Sequence, residues 1–165
     1  MENEGKKTEI SINELSELKQ AKSYLKSIMD SSMDIIIITD SVGYITKVNK
    51  YFVKLIGYKE EEITGKHVSE FGPTVNKTYK CSTGESIHIS REYFDNRVKW
   101  YERFVKEKES TNWQTYFVNK KDVLIPVEQN MSFFHDDKGN VVGAIAIIRN
   151  ITERHQIEQK LIASR

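Results

Sequence analysis

The stretch VLIPVEQNMSFFHDDKGNVVGAIAIIRNITER, residues 123–154, carries the strongest structural signal in the sequence. It predicts two long strands, Val123–Phe134 and Val141–Ile148, joined by the polar turn Asp136–Asn140. Strands joined by so short a turn must run antiparallel. Val141–Ile148 is apolar at both alternating positions, so we expect both of its faces to be covered. Helices would cover one face, and the N-terminal helix or a second subunit would cover the other.

Three further strands extend this hairpin into a sheet. Trp113–Asn119 precedes it across the turn Lys120–Asp122. Near the N-terminus, the β-branched run Ile35–Thr39 is followed by a polar turn and by Tyr44–Val48, a pattern typical of a second hairpin. The sequence therefore predicts an α+β fold with a five-stranded antiparallel sheet.

Helical spacing and capping residues predict the elements around these strands. Asn49 is a suitable N-cap, and Gly57 suits the left-handed position that ends a helix. Residues 72–90, rich in turn-forming side chains, are predicted to form a long surface loop. The expected helices are Asn13–Met29, Lys50–Ile56, Lys59–Ile63, Arg91–Lys108 and an exit helix at Glu153–Arg165.

The two ends of the chain carry separate expectations. Residues 1–9 are polar and are predicted to form a frayed tail. The exit helix has no C-capping residue before the last position, so we expect the chain to be a piece of a longer protein.

Composition and charge exclude several classes of protein. The 165 residues are 38% hydrophobic and 30% charged, with 8 Gly and 2 Pro, which fits one globular domain rather than a low-complexity chain. A formal net charge of +1 gives no indication of the basic surface that binds nucleic acid. Cys81 is the only cysteine, which excludes an intramolecular disulfide. No apolar run approaches the roughly 18 residues of a membrane span, and no signal peptide is present, so we expect no membrane span and a cytoplasmic location.

Two motifs give the chain a family resemblance. NKYFVKLIGY at 49–58, with EEI at 61–63 and GK at 65–66, resembles the N-x-x-F-x-x-L-x-G-Y and E-E-x-x-G-K signature of PAS domains. DKGNVVGAIAIIRNITER at 137–154 is similar to the family's closing strand and its D-I-T-E-R exit motif. Asn150 stands where the family usually has Asp, so the ion pair of that carboxylate is not expected here. The resemblance covers about residues 22–155, with 72–90 as an insertion.

This resemblance implies both the architecture and the division of the chain. The implied fold is a PAS-like five-stranded antiparallel sheet with helices packed on one face, flanked by an N-terminal amphipathic helix and a C-terminal signalling helix. The implied division is a tail and helix start at 1–22, a PAS domain at 23–152 and an exit or linker helix at 153–165. PAS/PAC modules belong to bacterial and archaeal signal-transduction proteins and sense rather than catalyse.

PAS domains can enclose a cavity that holds haem, flavin, a metabolite or nothing. The fold therefore does not identify the ligand, which has to be inferred from individual residues. Arg97 could pair with a carboxylate at the edge of such a pocket, or it could extend into water while the aromatic residues simply fill the core. By analogy with the family, Phe133 and Val142 are also among the alternating strand residues whose side chains are expected to point inward. The candidate pocket residues implied by the family alignment are Tyr93, Phe94, Arg97, Tyr101, Trp113, Thr115, Phe117, Val127, Gln129, Met131, Ala144, Ala146 and Ile148.

No cofactor is predicted, and an unidentified small molecule is the expected ligand. Flavin is disfavoured, because Val68 stands where flavin-binding relatives carry a reactive cysteine. Phe117, Val127 and Ile148 stand where those relatives carry amide side chains for the ring edge. Haem is disfavoured, because the helix Arg91–Lys108 contains no histidine. The 4 histidines of the chain are isolated from one another.

Two functions of different classes remain open. One is a sensory domain, with a histidine kinase or similar effector downstream, that binds a small apolar or aromatic ligand such as a carboxylate. The other is a ligand-free dimerisation module; a haem- or flavin-based sensor is a disfavoured third. The sequence shows no catalytic set, so any kinase or cyclase activity is expected in a downstream domain. A homodimer is expected through the N- and C-terminal helices. The signal relay is predicted at Asn150, Ile151 and Thr152, and the dimer helix at Leu15, Leu18 and Leu25.

Overall fold

The protein is described by a computed structural model over residues 11–108 and 112–165. The predicted tail at 1–9 lies outside the described residues. The helices are α1 (Ile12–Ser31), α2 (Lys50–Ile56), α3 (Glu60–Ile63), α4 (Arg91–Glu107) and α5 (Thr152–Ala163). The strands are β1 (Ile35–Asp40), β2 (Ile45–Val48), β3 (Lys77–Cys81), β4 (Ser86–Ile89), β5 (Trp113–Val118), β6 (Val123–His135) and β7 (Val141–Asn150). In the described part of the chain, no helix combines the length and the apolarity that crossing a bilayer requires.

The predicted antiparallel sheet is present in the order β2-β1-β7-β6, with β5 on the remaining edge of β6. Its register places Ile37 beside Ala146 and Met131 beside the same alanine from the other side. The α+β, PAS-like fold is therefore confirmed. The sheet has seven strands rather than five, because β3 and β4 add to it, and β3 runs parallel to β6.

Residues 72–90 are not the long loop that the sequence predicted. β3 and β4 form an antiparallel hairpin, in which Tyr79 pairs with Ile87 and the turn contains Gly84 at φ +103°. The alternation of Tyr79 with Cys81 buries both side chains against Leu124 of β6. This small hydrophobic core, which also includes Ile89, supplies the burial that stabilises the hairpin.

The main core lies between the sheet and the short helices α2 and α3. Phe52 is fully buried and contacts the rings of Phe71 and Phe117, with centroids 5.8 and 5.4 Å away. Gly57 adopts the expected left-handed conformation at φ +79°, which ends α2. Other members of this core are Ile35, Ile37, Ile45, Val48, Ile56, Ile63, Ile125, Val127 and Ile148.

No described residue fully covers the outer face of the sheet around Ile147, contrary to the expectation for Val141–Ile148. Ile147 is 49% exposed on that face. The helix α1 does not pack over it, since Leu18 and Leu25 are also exposed. Only the C-terminal end of α1 is fixed: Met29 is buried, and the carboxylate of Asp30 accepts a hydrogen bond from the Lys50 backbone N–H at 3.1 Å.

Candidate functional site

A cavity of about 530 Å³ lies between α4 and the inner face of the sheet. Its volume is within the range of small-molecule pockets, ~300–1,000 Å³. Two of the predicted pocket residues lie elsewhere: Val127 is buried in the main core, and Tyr93 packs against the small core beneath the β3–β4 hairpin. Val142 is 47% exposed near the β6–β7 turn and is not among the residues that line the cavity. The predicted residues that line the cavity are Phe94, Arg97, Tyr101, Trp113, Thr115, Phe117, Gln129, Met131, Ala144, Ala146 and Ile148.

One wall of the cavity is a stack of aromatic rings. The indoles of Trp100 and Trp113 are nearly parallel, with centroids 4.4 Å apart. Trp100 also stacks on Phe104 at 5.6 Å, and Phe104 contacts Phe133 at 4.8 Å. Helical spacing brings Trp100 and Phe104 to one face of α4, and strand pairing brings Trp113 beneath them. The wall presents flat apolar surface suited to an aromatic or aliphatic group.

Several polar side chains in the lining have no hydrogen-bond partner in the described part of the chain, and Arg97 and Gln129 are two of them. The guanidinium of Arg97 and the amide of Gln129 make neither a hydrogen bond nor an ion pair with any described residue. Arg97 lies beside Gly72, where an added Cβ would be 3.3 Å from the Nη1 atom. The hydroxyl of Thr115, by contrast, is paired with that of Tyr93. Arg97 therefore brings a positive charge that is not paired with a described residue to a cavity with mostly apolar walls, whose lining also includes the acidic residue Asp40.

His67, which was predicted to be isolated, also lines the cavity. Its Nε2 atom lies 3.0 Å from the Val42 carbonyl oxygen, and its Nδ1 atom lies 2.7 Å from the Ser69 hydroxyl. Gly43 permits this approach, since a Cβ at that position would lie 2.5 Å from Nε2. The position directly after the Gly65-Lys66 turn was the signal that could have located His67.

The prediction that the cavity holds neither flavin nor haem can be compared with the residues at the expected positions. Val68, predicted at the position of the reactive cysteine, lines the cavity with an apolar side chain. So do Phe117 and Ile148, predicted at positions where flavin-binding relatives carry amides for the ring edge. His88 lies exposed on β4, where its Nδ1 atom is 2.9 Å from the Thr78 hydroxyl. Within residues 11–108 and 112–165, no three His, Cys, Asp or Glu side chains are grouped to bind a metal.

The predicted relay residues connect β7 to α5. The Asn150 Oδ1 atom accepts hydrogen bonds from the Thr152 backbone N–H at 3.0 Å and from its hydroxyl at 2.6 Å. Asn150 thus keeps the acceptor role although it lacks the charge of the usual Asp. Ile151 is buried and donates its N–H to the Pro126 carbonyl of β6 at 3.1 Å. The start of α5 is therefore fixed to the two central strands.

Comparisons with known proteins agree with this geometry. The PAS domain of a Colwellia psychrerythraea protein has a TM-score of 0.61 at 20% identity, over 82% of this chain and 98% of that one. A PAS domain from a two-component sensor histidine kinase has a TM-score of 0.58 at 12% identity, over 82% and 98%. A Light-Oxygen-Voltage domain studied with a flavin analogue has a TM-score of 0.56 at 14% identity, over 94% and 96%.

The curated proteins include no match to the chain. A family model described as PAS domain matches residues 33–153, which is most of the sequence. Together with the strand order and the fold of the solved relatives, this match shows that the chain belongs to the PAS domain family of sensory modules.

Proposed function

We propose that this PAS domain senses a small carboxylic acid with an aromatic or aliphatic body, bound in the cavity beneath α4. The observation that carries the proposal is Arg97, a cation without a partner among the described residues, in the lining of an apolar cavity. A guanidinium can bind a carboxylate through two parallel hydrogen bonds. Its attraction for an anion is stronger beside apolar walls than in water.

The walls favour a flat or branched apolar body for this acid. The stacked indoles of Trp100 and Trp113 offer ring faces, and Ala144 and Ala146 leave space above the sheet. The amide of Gln129 provides one further donor and acceptor for a polar substituent. Because apolar side chains stand at the predicted flavin positions and α4 contains no histidine that could bind haem iron, the proposed ligand is a metabolite rather than a chromophore.

The proposed output is a change at the start of α5. The strand β7 lines the cavity through Ala144, Ala146 and Ile148 and continues directly into Asn150 and Ile151. A ligand shifts the balance between two arrangements of this strand only by its difference in affinity for them. We infer that α5 passes the shift to a downstream effector such as a histidine kinase, in a cytoplasmic homodimer.

The test uses the fluorescence of the 2 tryptophans of the chain, both of which line the cavity. Titration with aromatic and aliphatic carboxylic acids should quench or shift this emission, whereas the matched primary amides should not. A saturating acid at about 100 times its Kd should raise the melting temperature by roughly 5–10 °C. Arg97→Gln should abolish both effects. The control Arg103→Gln, on the same helix and paired with Glu107 at 3.1 Å, should retain them.

Exposed apolar residues on α1 support the second candidate, a ligand-free dimerisation module. Leu15, Leu18 and Leu25 are 44%, 61% and 46% exposed. If no acid alters fluorescence or melting, and if Ala146→Leu fills the cavity with a gain in stability, the ligand proposal is wrong and this alternative stands. An absorption spectrum of the purified protein distinguishes these two candidates from the disfavoured haem- or flavin-based sensor, because a colourless sample excludes a bound chromophore.

A further inference from the structure

We propose that the β3–β4 hairpin mechanically connects the cavity wall to α5, in addition to the connection through β7. The proposal rests on the output at α5 given above, but it is independent of the identity of the ligand. Three sets of contacts carry it: those of the hairpin with α5, with β6 and with the residues behind the cavity.

The tip of the hairpin holds the first turns of α5. The Ser82 hydroxyl lies 2.7 Å from that of Thr152, the first residue of the helix. Because the Thr152 hydroxyl donates its proton to Asn150 at 2.6 Å, the Ser82 hydroxyl is the donor in this pair. Two turns further along, the Gln159 amide donates to the Glu85 carboxylate at 3.2 Å. The hairpin thus contacts α5 at two points on one side.

These contacts matter because α5 begins without a side-chain cap. Its N-cap residue, Ile151, has no side-chain oxygen, so it cannot accept the free N–H groups of the first turn. Thr152 is held instead by Asn150 and by Ser82. Removing Ser82 would leave only the Asn150 contact to fix the side chain of Thr152.

The hairpin is itself joined to the sheet by backbone hydrogen bonds. The Ser82 N–H donates to the Leu124 carbonyl at 2.8 Å, directly beside the parallel pairing of Cys81 with Leu124. Movement of this part of β6 therefore carries the tip of the hairpin with it.

The other side of the hairpin packs on residues that also line the cavity. Phe94 and Tyr116 contact the small core of Tyr79, Cys81, Ile89 and Leu124, and both have surface in the cavity. Tyr93 connects these two, since its ring contacts both and its hydroxyl accepts the Tyr116 N–H at 3.3 Å. A group that displaces Phe94 or Tyr116 from the cavity side therefore also disturbs the packing beneath the hairpin.

Hydrogen exchange of the full chain, without added ligand, tests the connection. Ser82→Ala should speed exchange of the backbone amides in the first two turns of α5 by roughly three- to tenfold, since one net hydrogen bond is removed. Ser86→Ala is the matched control, because this exposed hydroxyl on β4 makes no hydrogen bond with a described residue. Tyr93→Phe, at a residue that makes no hydrogen bond with α5, should also speed exchange there, by about twofold or more.

The double variant Ser82→Ala with Tyr93→Phe shows whether the two substitutions act on α5 through the same connection or independently. If the hairpin transmits the change, Tyr93→Phe should speed α5 exchange by a smaller factor once Ser82 is already Ala, because only the Glu85–Gln159 contact then joins the hairpin to α5. Amides in the centre of β6 and β7 serve as the internal reference for intact folding. The proposal is overturned if Ser82→Ala matches Ser86→Ala, or if the double variant shows the product of the two single effects. Either result would leave the ligand proposal unaffected, because no ligand enters the experiment.

Discussion

The side chain of Asn49 joins three elements at a fully buried position. Its Oδ1 atom accepts the N–H of Ile36 in β1 at 3.1 Å and that of Phe52 in α2 at 3.3 Å. Its amide donates to the carbonyls of Met29, in α1, and Asp34, at 3.0 and 2.9 Å. The residue that the sequence identified as a helix cap is therefore also the attachment point of the N-terminal helix.

We expect Asn49→Ala to lower the free energy of unfolding by about 3 kcal/mol, more than an ordinary cap, because buried carbonyls and N–H groups lose their partner. Asn49→Ser should recover about 1 kcal/mol of this loss, since its hydroxyl can cap α2 but is too short to reach the other groups. Urea denaturation followed by circular dichroism measures both. A loss below about 1 kcal/mol for Asn49→Ala would contradict the joining role.

Asp136 makes the β6–β7 turn sensitive to acid. The backbone N–H of Asn140, then the side-chain amide of the same residue and the N–H of Lys138, donate to this carboxylate and lower its pKa. A carboxyl whose pKa is lower in the folded state stabilises the fold above its unfolded pKa, about 3.9, and this contribution is lost as the pH falls through the folded value.

We therefore expect Asp136→Asn to reduce the dependence of the melting temperature on pH below about pH 4, because an amide does not titrate there. Asp137→Asn is the control, since the neighbouring carboxylate accepts no hydrogen bond from a described residue. Melting curves between neutral and strongly acidic pH measure the difference. Identical acid sensitivity in the two variants would contradict a role for the turn.

At the scale of the elements, the contact of β1 with β7 depends on one glycine. A Cβ on Gly143 would lie 2.2 Å from the Thr39 carbonyl oxygen and 2.5 Å from the Phe134 ring. The backbone oxygen cannot move without breaking the pairing of Asp40 with Gly143. The glycine is required here by close approach of the neighbouring strand rather than by its own backbone conformation.

Gly143→Ala should therefore lower the free energy of unfolding by about 2–3 kcal/mol through overpacking. Val142→Ala, at an exposed position of the same strand, should cost less than about 0.5 kcal/mol. Thermal unfolding of the two variants under the same conditions measures the contrast. Equal stability would show that the two strands can separate without cost at this point.

The elements specified by neighbouring residues were predicted correctly from the sequence. The prediction failed where a strand forms because of contact with a residue far along the chain. Asn49, Gly57 and the alternation of β5 to β7 each specify their structure through neighbouring residues, so these elements could be placed. Tyr79 and Cys81 form a strand only because Leu124, far along the chain, covers them. Without that partner, the Ser, Thr and Gly residues around them indicated a loop.

The candidate site divides in the same way. Strand parity brought Phe117, Gln129, Met131 and the two alanines of β7 to the cavity. Parity does not show where along a strand the cavity ends. Val127 has the same parity as Gln129, two residues away on β6, but it is buried in the main core. His67 was missed because its role comes from a turn that folds back onto it. The direction in which Tyr93 points depends on how α4 is rotated against the hairpin, which periodicity alone does not determine.

At the scale of the whole molecule, residues 11–108 and 112–165 leave two apolar surfaces exposed. One is on α1 at Leu15, Leu18 and Leu25, and the other is the outer face of the sheet around Ile147, itself 49% exposed. Isolated exposed apolar residues are ordinary, but a row of them along one helix is typical of an interface. Association of two copies would remove these side chains from water.

We therefore expect the chain to sediment as a dimer at micromolar concentration. Leu18→Glu combined with Leu25→Glu should weaken the dimer by more than about a hundredfold, because each buried leucine contributes ~1.5–3 kcal/mol and each is lost from both chains. Lys19→Glu combined with Lys26→Glu changes two exposed positions at the same spacing and tests whether charge alone acts. Sedimentation velocity over a range of concentrations distinguishes the variants. An unchanged mass for the leucine pair would exclude α1 as the dimer helix, and the cavity would then have to signal through α5 within a single chain or across another surface.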